Sequence, residues 1–101
     1  MLIYNFPAYI YLFAKAVCDS AEAQGIDREV AMKLFAKVLE GSAEMLRSSG
    51  DDPDTLIQKV SSKGGTTIAA LERLYAHGFE GAIDDAMKAC TKRAEELAAE
   101  A

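Results

Sequence analysis

An all-α bundle of about five helices is the fold this sequence predicts, and three observations predict it. Alanine is abundant, proline is limited to Pro7 and Pro53, and β-branched residues are scattered, a balance that favours helix. Apolar residues recur at three-and-four spacing rather than in alternation. Glycines fall at the ends of the periodic stretches, where a helix terminates, and no strand pattern or internal repeat interrupts them.

The first helix begins near Pro7, whose fixed φ suits a first turn, and runs to Gly25. It is apolar nearly all round: Ala8, Tyr9, Ile10, Tyr11, Leu12, Phe13, Ala14, Ala16 and Val17. A helix with no polar face is buried on every side, and so small a domain cannot cover it alone. A second copy of the chain is therefore expected over it. The second helix opens after Asp27 as N-cap and reaches about Ser48, with Val30, Ala31, Leu34, Phe35, Val38, Leu39, Ser42, Met45 and Leu46 on its inner side. Gly50 stops it. Asp52 and Pro53 read as N-cap and first residue of a short third helix bearing Leu56, Ile57 and Val60. After a polar loop, a fourth helix carries Ile68, Leu71, Leu74 and Tyr75 and closes at Gly78. A fifth runs from about Phe79 to the end, with Ile83, Met87, Cys90, Ala94 and Leu97 facing in.

With 101 residues, half of them apolar and 27% charged, the chain has the size and composition of one globular domain, 1–101. A net charge of -5 and the lack of a basic face argue against a nucleic-acid partner. The apolar run Phe6 to Ala14 ends at Lys15 and Asp19, far short of the ~20 residues a membrane span needs, and the N-terminus has no secretory-signal pattern. Cys18 and Cys90 read as small buried hydrophobes in a reducing cytoplasm. No Cys, His or carboxylate cluster has metal-ligand spacing. His77, just before Gly78, suits a surface position where a cation complements the helix dipole. Tyr4, Tyr9 and Tyr11 read as core or interface residues. No glycine-rich strand-to-helix turn is present for a dinucleotide, so no cofactor is expected on this chain alone.

One segment can carry chemistry: Ser61-Ser62-Lys63-Gly64-Gly65-Thr66-Thr67, leading into the fourth helix. Such a loop offers unpaired N–H groups and the positive end of a helix dipole to an anion. Gly64 and Gly65 allow close approach of the backbone, and Thr66 and Thr67 add hydroxyls. On local pattern alone the favoured reading of the same residues is a helix–helix connection with a threonine N-cap and two turn glycines.

The stretch from Asp54 through Val60 into Ser61-Ser62-Lys63-Gly64-Gly65-Thr66-Thr67-Ile68-Ala69-Ala70-Leu71 resembles the signature of pyrroline-5-carboxylate reductase. In that family a helix ends in valine, a Ser/Thr pair and usually proline, and Gly-Gly-x-Thr opens the next helix. Pro7-Ala8-Tyr9, the Gly25-to-Glu29 turn, Gly78-Phe79 and the closing helix share the likeness, which covers nearly the whole chain. The resemblance implies the C-terminal domain of a reductase that carries hydride from NADPH or NADH to 1-pyrroline-5-carboxylate, giving proline. It further implies a fold like the C-terminal domain of 6-phosphogluconate dehydrogenase, interlocked as a homodimer, in a cytoplasmic enzyme. Carried over, backbone N–H groups around Ser62, Gly64, Gly65 and Thr66 would hold the substrate carboxylate, and Thr67 would hydrogen-bond the imine nitrogen as catalytic residue. This chain differs from the family pattern at Ile3-Tyr4-Asn5-Phe6, where small residues are usual, and at Lys63, where proline is usual. The dinucleotide-binding domain is not within the 101 residues, so the chain alone is expected to be inactive. The alternative is a stand-alone or degenerate helical dimerisation module.

Overall fold

The computed structural model describes residues 5–62 and 65–100. Those residues form five helices and no strand: α1 Phe6–Ala23, α2 Arg28–Ser48, α3 Pro53–Val60, α4 Thr66–Ala76 and α5 Phe79–Glu100. Two compact units divide the chain, one over Asn5–Leu56 and one containing Ile57–Ala101.

In the first unit α1 and α2 make a helical hairpin. α1 ends because Gly25, at φ +94°, takes a left-handed conformation that costs glycine nothing. The Gly25 N–H then donates to the Glu22 carbonyl at 3.0 Å, and the Ile26 N–H to the Ala21 carbonyl at 2.9 Å, satisfying two carbonyls that the helix end leaves open. Two residues on, the Asp27 side chain accepts from the Val30 N–H at 3.2 Å and starts α2. The paired contacts are antiparallel: Phe13 against Phe35, ring centroids 5.4 Å apart, Cys18 against Met32, and Asp19 against Arg28. Arg28 donates to the Asp19 carboxylate at 2.8 Å while Lys15 holds its other oxygen at 3.0 Å. Those two hydrogen bonds, Lys15's first, hold the Asp19 carboxyl pKa below its ordinary value, and the bond to Asp19 raises that of Arg28.

Only Cys18, at 0% exposure, and Ala31, at 7%, are buried among the described apolar residues. On α2 Met32 and Phe35 meet α1, Ala31 is buried and Leu39 half-buried, whereas Leu34, Val38, Met45 and Leu46 are exposed. The nine positions read as one inner side of α2, eight apolar residues and Ser42, therefore divide into a covered stripe and an uncovered one. On α1, Leu12 and Tyr11 are 67% and 71% exposed. The hairpin covers one strip of α1 and leaves the rest of that apolar helix bare.

In the second unit α4 and α5 pack together across His77-Gly78. Gly78, at φ +71°, ends α4, and its carbonyl accepts from Ala82 at 2.8 Å to begin α5. Ile68 and Leu71 on α4 and Met87, Cys90 and Ala94 on α5 are half-buried, while Leu97 remains exposed. Cys90 is thus less buried than its sequence setting suggests; Cys18 has the full burial expected of it, and both thiols are free. His77 is exposed. Its Nδ1 lies 2.9 Å from the Arg73 carbonyl, which can only accept, so Nδ1–H donates to a carbonyl that also accepts the His77 N–H at 3.1 Å. Of the tyrosines, Tyr9 is half-buried with its ring 5.6 Å from that of Phe6, and Tyr11 points outward; Tyr4 lies outside the described residues.

Candidate functional site: the loop into α4

The end of α3 and the start of α4 are built by the chain's own polar groups. The Ser61 hydroxyl donates to the Ile57 carbonyl at 2.6 Å and the Ser61 N–H to the Gln58 carbonyl at 3.2 Å, so Ser61 is spent on finishing α3. Ser62 is exposed. Its carbonyl accepts from the Gly65 N–H at 3.0 Å. Lys63 and Gly64 lie outside the described residues.

The N-cap of α4 is Gly65, at φ -87° and ψ 178°, and no side chain caps the helix. The threonine N-cap expected of a plain connection does not form, because Thr66 is already the first helical residue. Gly65 is in ordinary extended backbone, so its conformation does not require glycine. A Cβ there would stand 2.6 Å from Ser62 Oγ, the end of an exposed side chain, and 3.0 Å from the Ser62 carbonyl oxygen. The close approach that Gly65 permits is therefore that of Ser62.

Beyond the cap, the Ala69 N–H returns to the Gly65 carbonyl at 3.3 Å as the first full helical hydrogen bond. The N–H groups of Thr66, Thr67 and Ile68 precede it at the positive end of the helix dipole, and the first turn of α4 holds no carboxylate to offset that field. Thr66 is exposed; Thr67 and Ile68 are half-buried. The Ile68 amide is the donor that residue-type reasoning passed over, and counting three positions inward from Gly65 finds it. Chemically, the arrangement suits a small anion held by main-chain donors with a threonine hydroxyl at its side. Among the described residues no group of three His, Cys, Asp or Glu side chains is placed to hold a metal. No helix there is long and apolar enough to cross a membrane.

Five helices among the described residues, with apolar side chains left exposed along α1 and α2, define an all-α association domain. The chain belongs to the pyrroline-5-carboxylate reductase dimerisation family, whose sequence model matches residues 5–97. It is 40% identical over 91 residues to pyrroline-5-carboxylate reductase of Escherichia coli strain K12, an alignment that covers 90% of this chain and 34% of that protein. In structure it resembles Plasmodium falciparum pyrroline carboxylate reductase crystallised with NADP bound: TM-score 0.89, 28% identity, 92% of this chain and 36% of the other. The 1-pyrroline-5-carboxylate reductase of Streptococcus pyogenes gives TM-score 0.87 at 32% identity, covering 89% of this chain and 35% of that one. The chain thus spans about a third of the length of the relatives it matches.

Proposed function

We propose that this chain serves as the C-terminal part of an NAD(P)H-dependent pyrroline-5-carboxylate reductase, supplying a homodimer interface and the loop that holds the substrate carboxylate. The observation that carries this reading is the conjunction of family membership with the uncovered apolar stripes of α1 and α2. Exposed patches of that extent are unusual on a lone protomer.

At the loop, the substrate carboxylate sits on the N–H groups that open α4, held by oriented donors and the dipole rather than by Lys or Arg. The Thr67 hydroxyl lies next to the imine nitrogen, which gains a proton as the neighbouring carbon accepts hydride. Holding the imine in one orientation lowers the barrier by positioning alone. Reducing equivalents come from a nicotinamide. The described residues, all helix and loop, contain no strand-to-helix glycine turn and do not fit a dinucleotide pyrophosphate, so no step is routed through it on this chain. The isolated chain is accordingly expected to turn nothing over.

A titration with proline followed by NMR tests the loop. Weak binding, about millimolar, is expected, since few ligand atoms are covered. Shifts should centre on Thr66, Thr67 and Ile68, and Thr67→Ala should leave carboxylate binding largely intact. If proline at tens of millimolar moves no loop resonance, the loop is only a helix connection and the stand-alone dimerisation module is the better account.

A further inference from the structure

Gly41 stands inside α2, a helix of 21 residues, although glycine is the poorest helix former after proline. Nothing local accounts for it. Its φ is not positive, unlike those of Gly25, Gly50 and Gly78, and it lies well inside the helix rather than at an end. No atom of the α1–α2 unit comes within 4 Å of the place its Cβ would take. Its position around the helix is more informative. At about 100° per residue, Val30, Leu34, Val38, Gly41 and Met45 fall within about 80° of one another. All four of those side chains are exposed, so Gly41 is a gap in the uncovered apolar stripe of α2. Gly81, the other glycine inside a described helix, is the contrast. It lies in the first turn of α5, and one turn further on stand the exposed carboxylates of Asp84 and Asp85.

We infer that a helix of a second copy of this chain crosses α2 at Gly41, so close that its atoms fill the place a Cβ would take. The inference rests on the homodimer reading and adds to it the point where the two copies come nearest. The family whose model matches this stretch is one of dimerisation, and the described elements of the chain are all helices, so a second copy brings a helix to the stripe. Helix axes stand about 8–10 Å apart according to the side chains between them, and a glycine at the crossing allows the shorter distance. Val38 and Met45, one turn before and one turn after, border the gap and offer apolar surface to the crossing helix. A glycine that neither torsion nor its own unit requires is thus accounted for from outside the protomer.

Gly41→Ala tests this by sign, because alanine is the better helix former. With nothing over the stripe, the change steadies α2 and leaves the dimer as tight or tighter. With a helix over it, the added methyl drives the two copies apart. Sedimentation equilibrium over a dilution series gives the dimer dissociation constant of the native chain, Gly41→Ala, Gly41→Met and Gly81→Ala, and thermal midpoints are recorded on all four. Gly41→Ala is expected to raise the constant about tenfold and Gly41→Met about a hundredfold, while Gly81→Ala changes it by less than about threefold. A Gly41→Ala constant within about threefold of native means that the Cβ place is free, and it overturns the inference whatever Gly41→Met does. An equal rise with Gly81→Ala overturns it too, as a general effect of replacing glycine. So does a lower thermal midpoint with an unchanged constant, because the contact then lies within one chain. Helix content lost from Gly41→Ala and recovered at higher protein concentration counts as the expected weakening, and loss that concentration does not reverse overturns the inference. A native chain that is monomeric at micromolar concentration removes the homodimer reading and the inference together, whereas a native dimer indifferent to Gly41→Ala removes the inference alone.

Discussion

Leu34→Ala tests the homodimer where the protomer has least at stake. Leu34 is 61% exposed and stands on the α2 stripe turned away from α1, one turn before Val38 at 57%. Covering a whole leucine side chain contributes about 1.5–3 kcal/mol, so covering the share that α1 leaves bare contributes about 1–2 kcal/mol. A two-fold interface counts each residue twice, for about 2–4 kcal/mol per dimer. Alanine keeps its Cβ, which brings the expected loss to about 2–3 kcal/mol, or about 30- to 150-fold in the dimer dissociation constant. Sedimentation equilibrium over a dilution series reads that constant, and far-ultraviolet circular dichroism checks that the helices persist. A dissociation constant that moves by less than about threefold would place Leu34 outside the interface. A native chain that sediments as a monomer at micromolar concentration would remove the dimer altogether.

The remaining predictions concern the hairpin and the thiols. Because the folded Asp19 carboxyl lies below its ordinary value of 3.8, its contribution is complete above that value and is lost as pH falls through the lower folded one. Thermal midpoints between pH 6 and pH 2 should therefore drop more for the native chain than for Arg28→Ala, and parallel curves would show that the clasp contributes nothing. Asp27→Ala removes the cap of α2 and should cost about 1 kcal/mol, read as a lower denaturant midpoint with an unchanged slope; a midpoint that stays put would mean the 3.2 Å contact does not hold in solution. Cys90, half-buried, should react with a disulfide reagent well before Cys18, which is fully buried beside the Met32 sulfur at 3.9 Å. Equal rates for the two thiols would contradict the packing of α1 on α2.

Much of the architecture is local and so was open to reading from residue order. The helix stops at Gly25, Gly50 and Gly78 follow from a conformation that only glycine enters freely, and all three glycines have positive φ. Asp27 and Asp52 start helices because a short carboxylate reaches N–H groups three residues on, and both do so here, Asp52 to Thr55 at 2.9 Å. The loop into α4 was legible as a helix start for the same reason: glycines, hydroxyls and the first turn lie within seven consecutive residues.

Three features needed the tertiary structure. Periodicity says that a helix has an apolar side, but α1 is apolar nearly all round and α2 carries two stripes, so nothing in the order of residues singles out Ala31, Phe35 and Leu39 as the covered side. The burial of Cys18 and the half-burial of Cys90 differ although both sit in apolar helical stretches, because burial depends on what the neighbouring helix brings against each thiol. At the loop, the sequence by itself determined that glycine stands before the helix, while how near Ser62 comes to it is a distance only the fold sets. Torsional preference belongs to a residue and travels with its letter; proximity belongs to a pair and exists only once the chain has folded.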